Sequence, residues 1–218
     1  DQGTLDANCY GSKDLITPSI DKLAATGVRF TQAYAHTVCC PARAALLTGR
    51  HPQRGGVHHW TQGDMNGPKG INMALGEVTL AEVLGSAGYN TIMTGKWHLQ
   101  SNPVDRGFSR YFGHLSGATN FFHGDNTFRL GKETFKVPKE DFYTTDANTD
   151  YAIRFLEETK DEKKPFLLYI AYNAPHYPLQ AHKKDIDKYR GRFSEGWDVL
   201  SRKRYKRVKE LGLLAGDW

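Results

Sequence analysis

Phe166-Leu-Leu-Tyr-Ile-Ala-Tyr-Asn-Ala-Pro-His176 decides the fold class of this chain. Its first seven residues carry no charge and no glycine. A continuous apolar run of that length is the pattern of a strand buried on both faces of a parallel sheet. A helical pattern precedes it, from about Asp146 to Glu158, with Ala147, Tyr151, Ile153, Phe155 and Leu156 expected on the inner face. The same order occurs upstream. Thr79-Leu-Ala-Glu82 is a capping box, Leu80, Val83, Leu84 and Ala87 are apolar behind it, and Gly88 closes the helix. Tyr89 to Thr94 then reads as a short strand that runs into Gly95-Lys96-Trp97-His98. Helix then strand, twice, is α/β order and predicts a mostly parallel sheet flanked by helices. Such sheets bind ligands outside the carboxyl ends of their strands. Lys96 and His98 leave one such end and His176 another, so the three converge on one sheet edge.

The rest of the chain reads less sharply. Thr17-Pro18 starts a helix with Thr as N-cap and Pro at its first position, and Gly27 ends it. Val28 to Ala35 is β-rich and predicts a strand. Residues 51–76 and 101–143 read as loop-rich, the second with clustered aromatics at Phe108, Tyr111, Phe112, Phe121 and Phe122. From His182 onward the pattern is helical and charged, and no internal repeat is present.

A second stretch carries the chemistry: Thr37-Val-Cys-Cys-Pro-Ala-Arg-Ala-Ala-Leu-Leu-Thr-Gly-Arg50. Pro41 suits a first helical position, Ala44 to Leu47 propagate the helix, and Gly49 stops it. Cys39 then stands at a helix N-terminus, where backbone N–H groups and the dipole favour negative charge. Arg43 adds a permanent cation one turn on. By residue type alone, a buried cysteine pair is the plainer reading. A Cys/His zinc site is weak on spacing, because adjacent cysteines lack the usual separation of metal-binding pairs.

Composition excludes other classes. The 218 residues are 39% hydrophobic with 11 Phe, 11 Tyr and 4 Trp, which is globular rather than disordered. No run is long and apolar enough to span a membrane. The net charge of +5 arises in residues 201–210, outside which acidic and basic residues balance. One basic helix face is ordinarily solvated, so no nucleic-acid partner is expected. Three cysteines, two of them adjacent, make no disulfide framework.

Cys39-x-Pro41-x-Arg43 followed by Leu47-Thr48-Gly49-Arg50 resembles the signature of the type I, formylglycine-dependent sulfatases. Further blocks resemble the family in the same order: Thr17-Pro-Ser-Ile-Asp-Lys-Leu23, Gly95-Lys96-Trp97-His98-Leu99, Asp105-Arg-Gly-Phe108, Tyr111-Phe112-Gly113 and Ala174-Pro175-His176-Tyr177-Pro178. Ala42 stands where that family most often has Ser. The resemblance implies an alkaline-phosphatase-like α/β fold and a sulfuric ester hydrolase acting on an aryl or carbohydrate sulfate. It implies that a maturation enzyme oxidises Cys39 to formylglycine, whose hydrate attacks sulfur. Lys96 would bind the sulfate oxygens, and His176 or Lys96 would protonate the leaving oxygen. His98 would take the proton of the second hydroxyl, and Arg43 would hold the diol. The family's Ca²⁺ (Mg²⁺ being possible) is bound by paired aspartates, the formylglycine and a later Asp-Asn pair. Asp1 and Cys39 are the candidates here, while Asp125-Asn126 and Asp217 stand in the wrong context. The resemblance also implies a partial catalytic domain over residues 1–218, truncated at both ends, and a periplasmic, secreted or lysosomal setting. Two alternatives stay open: a phosphonate or phosphate monoester hydrolase, and an inactive module that binds sulfated glycans.

Overall fold

A computed structural model describes residues 2–58, 73–214 and 216. They form two compact units, residues 35–180 and residues 1–34 with 181–218.

The larger unit is built on a five-stranded sheet of order β4-β3-β2-β1-β5. Its strands are β1 Asn90–Gly95, β2 Arg110–His114, β3 Phe128–Leu130, β4 Glu133–Thr134 and β5 Phe166–Ala171. β1 pairs in parallel with both β2 and β5, whereas β3 and β4 add an antiparallel edge. The sheet is therefore mixed, with a parallel centre. Three strands lie within the stretch read as loop, because Gly113 and the polar Arg110 and His114 mask the short β2 pattern. Pairing with the fully buried β1 holds β2 in place.

Helix α2 (Cys39–Thr48) and helix α3 (Leu80–Ser86) belong to one apolar cluster with Met93, Trp97, Phe108 and Tyr111. Helix α4 (Thr144–Thr159) packs through Phe155 against Ile92, Phe112 and Phe128 on the other cluster. Ile153 is 55% exposed, so it lies off the inner face expected for it; Ala152 takes that place at 2%. The capping box at α3 is present, with the Thr79 hydroxyl accepting from Glu82 N and the Glu82 carboxylate accepting from Thr79 N.

β5 departs from the expectation of two-sided burial. Phe166 is exposed, four residues are half-buried, and only Ala171 is buried. The reason is position: among the described residues β5 borders β1 alone and has no second neighbouring strand of the kind that seals β1. At its carboxyl end the backbones crowd together. Gly95 has φ +99°, and a Cβ there would lie 2.1 Å from the Ala171 carbonyl oxygen, which leaves glycine as the residue that fits.

The smaller unit holds α1 (Pro18–Thr26), α5 (Lys183–Asp187) and α6 (Trp197–Glu210). Thr17 is the N-cap residue of α1, but its hydroxyl accepts from Asn8 N and donates to Asp21 rather than capping the helix. No strand forms over residues 28–35, where Val28, Phe30 and Tyr34 are largely exposed. β-rich composition without a neighbouring strand does not make a sheet. The basic helix α6 is more than a solvated face. Arg204 pairs with Asp6 at 2.8 Å and Asp14 at 3.4 Å, and Arg207 donates to the Gly11 carbonyl at 3.1 Å.

Candidate active site at the carboxyl edge of the sheet

Helix α2 begins at Cys39, two residues earlier than Pro41 suggests. Pro41 thus sits at the third helical position, among the first four N–H groups that have no intrahelical partner, so its missing donor is harmless there. Both cysteines lie in the positive first turn. Gly49 closes the helix in the left-handed region, and its N–H donates to the Ala45 carbonyl.

β1 ends at Gly95, and the next three residues are locked by backbone hydrogen bonds. Lys96 N donates to the Ala171 carbonyl at 2.9 Å, Trp97 N to the His114 carbonyl at 3.0 Å, and His98 N to the Leu115 carbonyl at 3.2 Å. The Lys96–His98 segment is thereby laced between the ends of β5 and β2. His98 has φ 56°, a strained conformation for a non-glycine residue of the kind that clusters at working sites. Its ring is held between two elements. Cys40 Sγ lies 3.5 Å from Nε2 and 3.6 Å from Nδ1, while Gly117 packs so closely that a Cβ there would lie 2.4 Å from Cε1.

The cluster is electrostatically arranged for an anion at position 39. The Cys39 thiol is pulled down to about 3, first by a hydrogen bond from Cys40, then by His98 and Lys96, against an opposing effect of burial. Lys96 is 2% exposed, and its ammonium is pushed below the ordinary lysine value by burial and next by the Arg43 charge. Cys39 counteracts both. Arg43 does not simply point at the thiol. Its Nη1 donates to the Lys96 carbonyl at 2.6 Å and to the Tyr169 hydroxyl at 3.2 Å, so it braces the Lys96 segment.

Direct contacts thus bring together Cys39, Cys40, Arg43, Lys96 and His98. His176 follows β5, with its N–H on the Asn173 carbonyl and its Nδ1 2.6 Å from the Tyr177 carbonyl. What ties His176 to the others is the sheet edge they share. Asp1 lies outside the described residues.

His114 and Ser116 carried no sequence signal. His114, fully buried, contacts Ser116 Oγ at 2.8 Å through Nδ1 and the Asn173 amide at 2.5 Å through Nε2. Ser116 in turn donates to Asp125 at 2.7 Å. Burial, above all, pushes the His114 imidazole down to about 3. Ser116 and Thr127 hold the Asp125 carboxyl below its ordinary value despite burial, so Asp125 is engaged in this network. Knowing the β1–β2 register would have pointed to His114, since β2 must run alongside β1 into the site.

The described donor set also bears on a metal. Among the described residues, the group of three potential ligands is Cys39, Cys40 and His98, with donor atoms within 4.8 Å of one another. Thiolates and imidazole suit soft ions, whereas Ca²⁺ requires oxygen ligands. These residues as encoded do not furnish a hard-cation site.

A parallel-centred sheet whose carboxyl edge gathers a helix N-terminus, a buried lysine and two histidines defines an α/β protein of the alkaline-phosphatase-like class. A family model described as Sulfatase matches residues 1–211, and the chain belongs to the sulfatase family. It is 32% identical to an arylsulfatase of Klebsiella aerogenes over 233 residues, which covers 100% of this chain and 50% of that protein. It superposes on the crystal structure of Ps i-CgsB with a TM-score of 0.77 at 32% identity, covering 98% of this chain and 54% of that one. A structure solved with its substrate D-glucosamine-2-N,6-O-disulfate matches with a TM-score of 0.66 at 30% identity, over 83% of this chain and 34% of that one. The chain therefore spans about half the length of the first two relatives.

Proposed function

We propose that the protein hydrolyses a sulfate monoester through a formylglycine derived from Cys39. The observation that carries this reading is the anion-stabilising environment at position 39. A helix N-terminus, Lys96 and His98 favour negative charge on that side chain and on whatever tetrahedral oxyanion it meets.

The steps follow from this chain's own residues. Lys96, buried and cationic, neutralises the oxygens of a bound sulfate. One hydroxyl of the hydrated aldehyde at position 39 loses its proton to solvent as its oxygen attacks sulfur, the S–O bond to the alcohol breaks, and the leaving oxygen takes a proton from His176 or Lys96. A covalent sulfate ester on residue 39 remains. His98 then removes the proton of the second hydroxyl, the C–O bond to sulfate breaks, and the aldehyde returns. Rehydration consumes one water per turnover. Arg43 supports the sequence by fixing the Lys96 backbone and adding positive charge. A divalent cation held by oxygen ligands, for which Asp1 and the oxidised residue 39 are the candidates, would supply further positive charge.

Similar proteins have been solved with a neocarrahexaose and with a glucosamine disulfate, and these support a carbohydrate sulfate as the substrate class. The test has two readouts. Mass spectrometry of the tryptic peptide spanning Cys39, after co-expression with a formylglycine-generating enzyme, should show a loss of about 18 Da. The matured protein should hydrolyse an aryl sulfate faster than the matching aryl phosphonate. A peptide that keeps its thiol refutes the nucleophile, and a preference for phosphonate refutes the substrate class.

A further inference from the structure

The reaction described above uses the side chain at position 39 and assigns nothing to Cys40, which is fully buried against His98. Adjacent cysteines are a poor zinc signal in a sequence, because the usual ligand pairs stand roughly two to four residues apart. The fold supplies what that spacing lacks. The first turn of α2 sets the two thiols side by side, with Cys40 donating a hydrogen bond to Cys39. The end of β1 then brings His98 to them from 58 residues beyond Cys40.

The separations suit a tetrahedral ion. Zinc bonds of about 2.3 Å to sulfur and about 2.0–2.1 Å to imidazole nitrogen place those two donors about 3.5–3.6 Å apart across a tetrahedral angle. Cys40 Sγ already stands 3.5 Å from Nε2 of His98 and 3.6 Å from Nδ1. These nearly equal distances leave the choice of nitrogen to a small turn of the ring. One donor atom from each of Cys39, Cys40 and His98 lies within 4.8 Å of the others. Two sulfurs on one tetrahedral zinc are about 3.8 Å apart, so closing the triangle asks for a shift of roughly 1 Å. Cys39 is half-buried whereas Cys40 and His98 are buried, so the cluster opens on the Cys39 side, where solvent completes the fourth position. Lys96 hydrogen-bonds Cys39 and its ammonium opposes a cation, but two thiolates bring two negative charges against it. Sulfur and imidazole donors select thiophilic ions and leave Ca²⁺ and Mg²⁺ to oxygen ligands.

We infer that the protein as encoded, with Cys39 still a thiol, binds a thiophilic divalent cation such as zinc through Cys39, Cys40 and His98. Oxidation of residue 39 to the aldehyde takes one sulfur out of this set and abolishes the site. The unmatured and matured proteins therefore differ in their affinity for soft ions as well as in their nucleophile. A bound ion also occupies the Cys39 sulfur, so it silences the thiol of the unmatured protein. Binding to the thiol form stands independently of the reaction proposed above, whereas its loss on oxidation rests on that reading.

The experiment uses the full chain expressed without a formylglycine-generating enzyme, kept reduced and stripped of metal. Zinc chloride titrated into it in a calorimeter should bind with a Kd of about 1 µM or tighter, undisturbed by a large excess of calcium chloride. Cobalt(II) in place of zinc should give thiolate-to-metal charge-transfer absorption in the near ultraviolet. X-ray absorption of the zinc form should find both sulfur and imidazole ligands. Zinc should shield Cys39 from iodoacetamide while Cys9, in the smaller unit, stays reactive. Cys39→Ser should weaken zinc binding by at least about a hundredfold, and protein matured at position 39 should lose it to the same extent. The serine is nearly isosteric at a half-buried position, so the melting temperature should match the parent. Should it not, the cobalt spectrum and the zinc ligand set of the parent decide alone. Absence of zinc binding in the parent, a zinc site without sulfur, or binding that a folded Cys39→Ser protein retains each overturn the inference. If Cys39 keeps its thiol under co-expression with the maturation enzyme, the sulfate-ester reading fails, while the zinc titration of the thiol form still supports or sinks this one.

Discussion

Substituting Gly117 by alanine should damage the reaction far more than the fold. A Cβ at this position would stand 2.4 Å from Cε1, 2.6 Å from Nε2 and 3.0 Å from Nδ1 of His98. Ordinary carbon contacts are about 3.5–4.0 Å, so the overlap exceeds about 1 Å. The φ of Gly117 lies outside the left-handed range, so the alanine backbone itself is unstrained and the collision is the whole effect. The ring has nowhere to retreat, because His98 is 3% exposed and Cys40 Sγ stands 3.5 Å from Nε2. Overpacking of this size costs about 1–3 kcal/mol of stability. Displacing a proton acceptor by about 1 Å costs on the order of a hundredfold in rate. Steady-state kinetics with an aryl sulfate should therefore show kcat reduced by about two orders of magnitude, with a melting temperature only a few degrees lower. Adding Cys40→Ala should open space behind the ring and recover part of kcat. If Gly117→Ala turns over within about twofold of the parent, the placement of His98 as the proton acceptor is wrong.

Other consequences are quickly measured. In the unmatured protein Cys39 should be a thiolate even in mild acid, since its pKa is held to about 3, so iodoacetamide at about pH 5 should label it well ahead of Cys9 and Cys40. Peptide mapping gives the answer, and equal labelling of the three thiols contradicts the electrostatics. His114 predicts a pH dependence of stability. Its folded pKa of about 3 lies below the ordinary 6.5, so the unfolded state binds the proton more readily, and stability is lost as pH falls from about 6.5 toward 3. At about pH 5 the loss is roughly 2 kcal/mol, which urea unfolding of the parent should show and His114→Gln should flatten. Arg106 is 2% exposed and donates to the Glu77 carbonyl and the Glu82 carboxylate. Arg106→Ala should cost about 2–3 kcal/mol in urea unfolding, through a buried carbonyl left unpaired and lost packing, with kcat of the surviving folded protein unchanged.

What the sequence disclosed follows how local each cause is. The α3 capping box depends on two side chains three residues apart, and it formed as read. The closing Gly49 and the Cys39–Arg43 spacing are equally local. The two helix–strand repeats gave the parallel centre of the sheet because each repeat carries its own period. The stretch 28–35 shows the opposite case, since a strand needs a neighbour and composition names none. β2 was hidden for the complementary reason: its pattern is poor, and its place comes from the β1 ladder. The site divides along the same line. Cys39, Arg43, Lys96, His98 and His176 stand inside short blocks with a recognisable order, whereas His114, Ser116, Gly117 and Asn173 become meaningful only once β2 and β5 flank β1. These silent residues are the ones that fix the legible ones in space. Leu115 accepts the His98 N–H, Gly117 closes over its ring, and Asn173 joins His114 to the turn that bears His176. Short blocks therefore name the groups proposed to meet the substrate, while the strand ends that carry no motif set how accurately those groups are placed. Substitutions such as Gly117→Ala, outside every block, are accordingly where changes in rate without changes in binding should concentrate.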